Sequence, residues 1–157
     1  MGSIPLLAYG LILSGCDKKE SANHEAKEKS ESTHEAKEAQ PKAEVSAALS
    51  KGIGPVKSLE VGALDMALVA KGEKTFSGTC SACHKLDKRY VGPALSGVTK
   101  RRTPEWIMNM MLNPTEMTQN DPTAKALLGE YMTQMSVIIA QDDARAVLEY
   151  FRSKDGI

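Results

Sequence analysis

Two cysteines and a histidine in the segment Cys80–His84 have the spacing C-x-x-C-H. Thiols separated in this way match the two vinyl groups of a haem, to which they add as thioethers, while the adjacent imidazole reaches the iron from one face. Cys80 and Cys83 are therefore predicted to hold one covalent haem c, with His84 as an axial ligand of its iron.

The same pair of cysteines has two other interpretations. A C-x-x-C segment also occurs in thioredoxin-like redox proteins and as half of a zinc site. The first requires a βαβ setting, which the sequence pattern does not indicate. The second requires another ligand pair, and the chain from Val61 onward contains no other Cys or His. Haem attachment needs no additional residues and is favoured.

The third cysteine, Cys16, follows an apolar run over Ile4–Leu13. This run is too short to cross a bilayer, but it has the length of the hydrophobic region of a signal peptide. Residues 13–16 resemble the bacterial lipobox, in which the cysteine is acylated and becomes the mature N-terminus. The resemblance implies a signal peptide at residues 1–15, a lipid anchor on Cys16 and an extracytoplasmic location, facing the periplasm or at the cell surface. The alternative is an apolar N-terminus without such a role.

Residues 16–60 are rich in Lys, Glu, Ala and Ser, and the sequence His-Glu-Ala-Lys-Glu occurs at 24–28 and again at 34–38. So few large apolar side chains cannot offset the entropy lost on ordering. The segment is predicted to be a flexible or partly helical tether, in which His24 and His34 are solvated.

The rest of the chain, residues 61–157, is predicted to be one all-α domain. Apolar spacing and start and stop signals indicate about four helices with long loops, and no segment alternates as a strand would. The helices are expected over residues 62–76, 103–113, 123–132 and 141–152. Residues 78–102 are expected to form a loop.

In the order of its motifs this region resembles the class I cytochromes c. A helix with Gly72 and Phe76 precedes the C-x-x-C-H segment, a G-P-x-L segment follows at Gly92–Leu95, and the last helix carries an aromatic residue, Tyr150. The resemblance extends over about residues 61–152. It implies the class I cytochrome c fold, with Gly72 at a close crossing of the first and last helices and Phe76 against Tyr150.

The resemblance also implies roles for residues around the haem. The carbonyl of Pro93 is expected to accept a hydrogen bond from His84, and Leu95 is expected to pack on the ring. The second axial ligand is expected to be a methionine in a loop shortly before the last helix. Met135 has that position, although Ser136 follows it where the family commonly has proline.

Eight methionines are present, so the residue type alone does not identify the ligand. Met117 is the fallback, because it follows Asn113-Pro114 and is expected in a loop. Met132 is a weaker candidate near the end of a predicted helix, and a haem without a methionine ligand is the remaining possibility.

Buried haem propionates require hydrogen-bond donors or cations. Trp106 and Arg101, with Arg102, are candidates for this role. The equally weighted alternative is that Trp106 caps the core and the arginines are solvated. Basic residues cluster around the C-x-x-C-H segment, and a basic rim would steer an acidic partner.

These features predict an electron-transfer protein rather than an enzyme. The expected function is one-electron transfer between respiratory partners, such as a quinol-oxidising complex and a reductase or oxidase. The alternative is a five-coordinate haem c that binds and senses a small gas. Peroxidase activity is disfavoured, because the folded region has no spare histidine. The 20 basic and 20 acidic residues give zero net charge, which argues against nucleic acid as a partner.

Overall fold

The computed structural model describes residues 49–157, so the predicted signal peptide, Cys16 and the repeats of the tether lie outside the described part. Within it the chain forms helices and no strand, which confirms the all-α prediction. The helices are α1 (Met66–Thr75), α2 (Val98–Arg101), α3 (Pro104–Leu112), α4 (Pro114–Asn120), α5 (Pro122–Tyr131) and α6 (Gln141–Asp155), and a π-helical turn at Phe76–Cys80 extends α1. None of these helices has both the length and the apolar character that a membrane span requires.

Three helices begin at side-chain caps. The carboxylate of Asp65 accepts from the first amides of α1, Thr103 accepts from the amide of Trp106 in α3, and Asp121 caps α5. Such a cap satisfies amide groups that have no partner within the helix. The predicted starts of α3 and α5 are confirmed, whereas α1 begins at Met66 rather than near Gly62, because Asp65 sets its first turn.

The helices α1 and α6 cross at Gly72. A Cβ atom added to this glycine would lie 2.0 Å from the carbonyl oxygen of Ala146 and 2.9 Å from Cβ of Tyr150. One turn further along, the ring centroids of Phe76 and Tyr150 are 5.5 Å apart, and those of Phe76 and Phe151 are 5.8 Å apart. The absence of a side chain at Gly72 therefore lets the two helices approach closely enough for the rings to pack.

The helix α4 corrects one prediction. Asn113-Pro114 was expected to end a helix and lead into a loop that contains Met117. Instead α3 ends at Leu112 and Pro114 opens α4, in which Met117 is fully buried. Proline lacks an amide hydrogen and has a fixed φ, so it stops the preceding helix and suits the first position of the next one.

The segment from Ser50 to Val61, assigned above largely to the tether, packs on α3. The side chain of Asn109 accepts from the amide of Val56 at 2.9 Å and donates to the carbonyls of Val56 and Lys51, each at 2.9 Å. Val56 itself is buried. The folded part of the chain therefore begins no later than Ser50, rather than at Val61.

Candidate haem site

A cavity of about 590 Å³ is lined both by the C-x-x-C-H segment and by the loop that joins α5 to α6. Cys80, Cys83 and His84 border it from the first of these segments, and Met135 borders it from the loop. The intervening walls consist mainly of apolar side chains, among them Leu95, Ile107, Leu127, Val147 and Phe151. Concave, mostly apolar cavities with a few polar groups are typical of cofactor sites.

The attachment segment is a tight turn that continues the π-helical end of α1. The amides of Cys83 and His84 donate to the carbonyl of Cys80 at 3.1 and 2.9 Å, and no disulfide joins the two cysteines. Burial raises the pKa of the Cys80 thiol. Thioredoxin-like pairs instead rely on a thiol with a lowered pKa, so this environment disfavours the dithiol interpretation.

The imidazole of His84 is oriented by the backbone that follows it. Its Nδ1–H donates to the carbonyl oxygen of Pro93 at 3.3 Å, the partner that the resemblance implies. This bond fixes the tautomer and leaves Nε2 as the nitrogen with a free lone pair. Burial lowers the pKa of His84, partly opposed by the bond to Pro93, and so favours the neutral ring that binds a metal.

Gly92 is required by the position of this ring. A Cβ atom at Gly92 would lie 2.4 Å from Cε1 and 2.8 Å from Nδ1 of His84. Any larger residue would displace either the imidazole or the carbonyl of Pro93 that orients it. The glycine of the G-P-x-L segment thus has a steric role beside the hydrogen-bonding role of the proline.

The three candidate methionines occupy different environments. Met135 is half-buried and borders the cavity. Met117 is fully buried in α4 and outside the lining, and its sulfur accepts a hydrogen bond from the amide of Ile53 at 2.9 Å. Met132 is 83% exposed and ends α5 in the left-handed conformation, with φ of 50°. Of these three, Met135 alone borders the cavity that His84 also borders.

Polar contacts that the sequence pattern did not reveal hold the loop around Met135. The side-chain amide of Gln134 donates to the carbonyl of Met135 at 3.0 Å, and its oxygen accepts from the hydroxyl of Thr118 at 2.9 Å. Thr118 also borders the cavity. No periodic signal in the sequence links residues of α4 to this loop.

Trp106, Arg101 and Arg102 all border the cavity. The indole N–H of Trp106 donates to the carboxylate of Asp121 at 3.1 Å. In this structure the ring of Trp106 therefore forms part of the cavity wall, but its N–H is not directed to a propionate. The guanidinium of Arg102 lies 5.4 Å from the centre of that ring. Arg101 is exposed and donates to the carbonyl of Ser96 at 2.7 Å, which leaves other N–H groups of its side chain for a propionate.

The residues present fit a covalently held haem. Two thiols, one oriented imidazole and a thioether surround a single cavity whose walls are apolar, as a porphyrin ring requires. Among residues 49–157, no group of three or more His, Cys, Asp and Glu side chains is arranged to hold a bare metal ion.

Comparisons with known proteins agree with this geometry. Residues 69–155, more than half of the chain, match the family described as Cytochrome c, whereas no curated protein matches significantly. The structure of a cytochrome c from Rhodothermus marinus is 48% identical, with a TM-score of 0.64 over 66% of this chain and 90% of that one.

Two structures of an engineered form of the Rhodothermus protein are also similar. One, described as bound to a carbene intermediate, is 47% identical, with a TM-score of 0.62 over 66% of this chain and 92% of that one. The other has the same identity and coverage and a TM-score of 0.63. The family match, the fold and the oriented C-x-x-C-H segment together assign the chain to the cytochrome c family, as a monohaem protein of the class I fold that binds haem c covalently and transfers electrons.

Proposed function

We propose that this cytochrome c is a lipid-anchored, extracytoplasmic carrier that shuttles single electrons between respiratory partners, with its iron held between His84 and Met135. The observation that carries the ligand assignment is that Met135 borders the same cavity as His84. The sulfur of Met117, by contrast, accepts a hydrogen bond within the core.

When bound, the haem supplies a reversible one-electron couple. The residues around the site would restrict the haem to electron transfer. Pro93 holds His84 in one orientation, and with both His84 and Met135 bound to the iron no coordination position would remain for a substrate. The mostly apolar walls would limit the number of water molecules that must reorganise around the bound haem when its charge changes. A thioether and an imidazole as the two iron ligands would also give a higher reduction potential than two imidazoles would.

The ligand assignment is tested on the haem-loaded protein by the far-red sulfur-to-iron absorption band of the ferric state. We expect Met135→Ala to abolish this band and to make the ferrous protein bind carbon monoxide readily. Met117→Leu, which keeps the core filled, is the matched control and should keep the band. A band that survives in Met135→Ala would overturn the assignment, and loss of the band in Met117→Leu alone would transfer the role to Met117.

The anchor rests on the lipobox-like residues 13–16. A protein with acyl chains on Cys16 stays bound to the membrane, because two or more chains give stable attachment. We expect the natural protein to sediment with membranes and a Cys16→Ser variant to be released. Equal amounts of both proteins in the membrane fraction would contradict the anchor.

The proposed partners are redox proteins with an acidic docking surface. Residues 85–102, which follow the attachment segment, include six basic residues and one acidic residue. A cluster of positive charge near a redox site attracts a partner whose surface is negatively charged. We expect reversal of the exposed Lys88 and Lys100 to glutamate to slow oxidation by ferricyanide at low salt. Lys57→Glu, an exposed lysine outside the basic segment 85–102, should have little effect. Equal rates in all three proteins would overturn this proposal.

A further inference from the structure

One exposed guanidinium connects the loop that follows His84 to the end of α5. Arg89 belongs to the loop after His84, and its side chain reaches the end of α5. There it donates to the carboxylate of Glu130 at 3.0 Å and to the backbone carbonyl of Glu130 at 3.2 Å. The guanidinium carbon also lies 4.1 Å from the ring centre of Tyr131, which borders the cavity.

The two segments joined by Arg89 differ in how firmly they are held. The loop that carries Arg89 is tied to the attachment segment by backbone bonds, from Gly92 to Cys83 at 2.9 Å and from Leu95 to Lys85 at 3.1 Å. On the other side, residues 133–139 have no regular secondary structure and no backbone–backbone hydrogen bond. The side chain of Gln134 holds this loop instead, through its bonds to Thr118 and to the carbonyl of Met135. Arg89 therefore connects a segment held by backbone bonds to the base of a loop that has none.

The last turn of α5, which Arg89 contacts, leads into the loop that contains Met135. Tyr131 is the last residue of α5, and Met132 ends the helix in a left-handed conformation that directs the chain into the loop. A cation near the C-terminus of a helix is also favoured by the helix dipole. A contact that fixes the last turn of α5 thus fixes the point from which the loop of Met135 starts.

We infer that Arg89 is a positioning residue that holds the Met135 loop closed over the haem and thereby maintains methionine ligation. This inference rests on the proposed ligation by Met135. Arg89 and Glu130 are 57% and 54% exposed, and a single exposed ion pair adds little to the free energy of unfolding. Its effect is therefore expected on local opening of the loop, which needs far less energy than global unfolding.

Opening of the loop is measured by titrating the ferric, haem-loaded protein with imidazole and following the far-red band. Imidazole binds the iron only after Met135 has left, so its apparent affinity reports the open fraction. We expect Arg89→Ala to bind imidazole about three- to ten-fold more tightly. Arg89→Lys should behave like Arg89→Ala, since an ammonium group supplies no planar fork and stacks poorly. Glu130→Gln should change less, because the carbonyl and ring contacts remain.

The matched control is Lys71→Ala, which removes another exposed ion pair, with Asp143 at 2.9 Å, between α1 and α6. It should leave the imidazole affinity unchanged, and both alanine variants should unfold at similar denaturant concentrations. Unchanged affinity in Arg89→Ala, or an equal change in Lys71→Ala, would overturn the role of Arg89. A natural protein without the far-red band would instead show that ligation by Met135 itself is wrong, and the inference would fall with it.

Discussion

Glu149 is a fully buried carboxylate on α6 that connects this helix to the chain before α1. It pairs with Arg145 and, at 2.6 Å, with Arg152, and it accepts from the amide of Asp65 at 3.1 Å. Arg152 also donates to the carbonyl of Gly62 at 2.8 Å. Every buried polar group in this network has a partner, which is the condition under which a buried ion pair is tolerated.

This network predicts a pH dependence. Burial raises the pKa of the Glu149 carboxyl, but hydrogen bonds from Arg145, Arg152 and the amide of Asp65 lower it, and its pKa lies below the ordinary value of 4.5. A carboxyl whose pKa is lowered in the folded state stabilises the fold above its ordinary pKa. That contribution is lost as the pH falls below 4.5 through the folded value.

We therefore expect Glu149→Gln to be less stable near neutral pH, by about 3–5 kcal/mol, because Arg152 loses its buried counter-charge. Below pH 4.5 the variant should lose stability less steeply than the natural protein, although Glu105 and Asp155, whose pKa values are also lowered, preserve part of the slope. Denaturant unfolding at several pH values measures both effects. Glu60→Gln, at an exposed position, is the control, and parallel pH curves for Glu149→Gln and the natural protein would contradict the role of Glu149.

Among the glycines that have neighbours within 4 Å, Gly72 at the crossing of α1 and α6 has the least room for one added methyl group. We expect Gly72→Ala to destabilise the haem-loaded protein by about 1–3 kcal/mol or more, since the new Cβ would overlap the backbone of Ala146. Gly129→Ala in α5 is the matched control, because a Cβ there meets nothing within 4 Å. It should be neutral or stabilise by up to about 1 kcal/mol. Equal unfolding midpoints for the two variants would show that the crossing tolerates a side chain.

Elements with local signals were predictable from the sequence. The caps at Thr103 and Asp121 lie next to the helices they start, and the attachment chemistry of the haem requires cysteines at a fixed short spacing. The start of α4 was missed because Pro114 signals both the end of one helix and the beginning of another. The packing of Ser50–Val61 was missed because its anchor, Asn109, is distant in sequence and the segment has few large apolar residues.

Separation in sequence also decides how well each proposed ligand of the iron could be predicted. His84 and Pro93 are nine residues apart, so a motif can encode their contact. The second ligand has no fixed spacing, so the sequence favoured Met135 only through its position before the last helix. The structure adds that Met135 borders the cavity, whereas Met117 is buried outside its lining. Contacts such as that between Arg89 and Glu130, 41 residues apart, leave no periodic pattern in one sequence.

At the scale of the whole molecule, the cavity occupies the place where the core of an ordinary helical domain would lie. Its volume of about 590 Å³ adjoins core residues of α3 and α6, including Trp106, Ile107, Val147 and Phe151. This cavity is partly open to solvent, so without a haem the apolar side chains that line it would be hydrated and would lose packing partners. A typical domain is stable by only about 5–15 kcal/mol, so this loss would be a substantial part of the stability of the fold.

The haem is therefore expected to be part of the core as well as the redox centre. A Cys80→Ser/Cys83→Ser variant that carries no haem should keep helical far-ultraviolet circular dichroism but lose its near-ultraviolet signal and its cooperative thermal transition, because packing around the cavity is lost while the helices persist. Met135→Ala with haem attached is the control, since it removes one proposed iron ligand but leaves the cavity filled, and it should unfold cooperatively. A haem-free variant with a native-like near-ultraviolet spectrum and a sharp transition would show that the helices α1, α3 and α6 suffice to form the core by themselves.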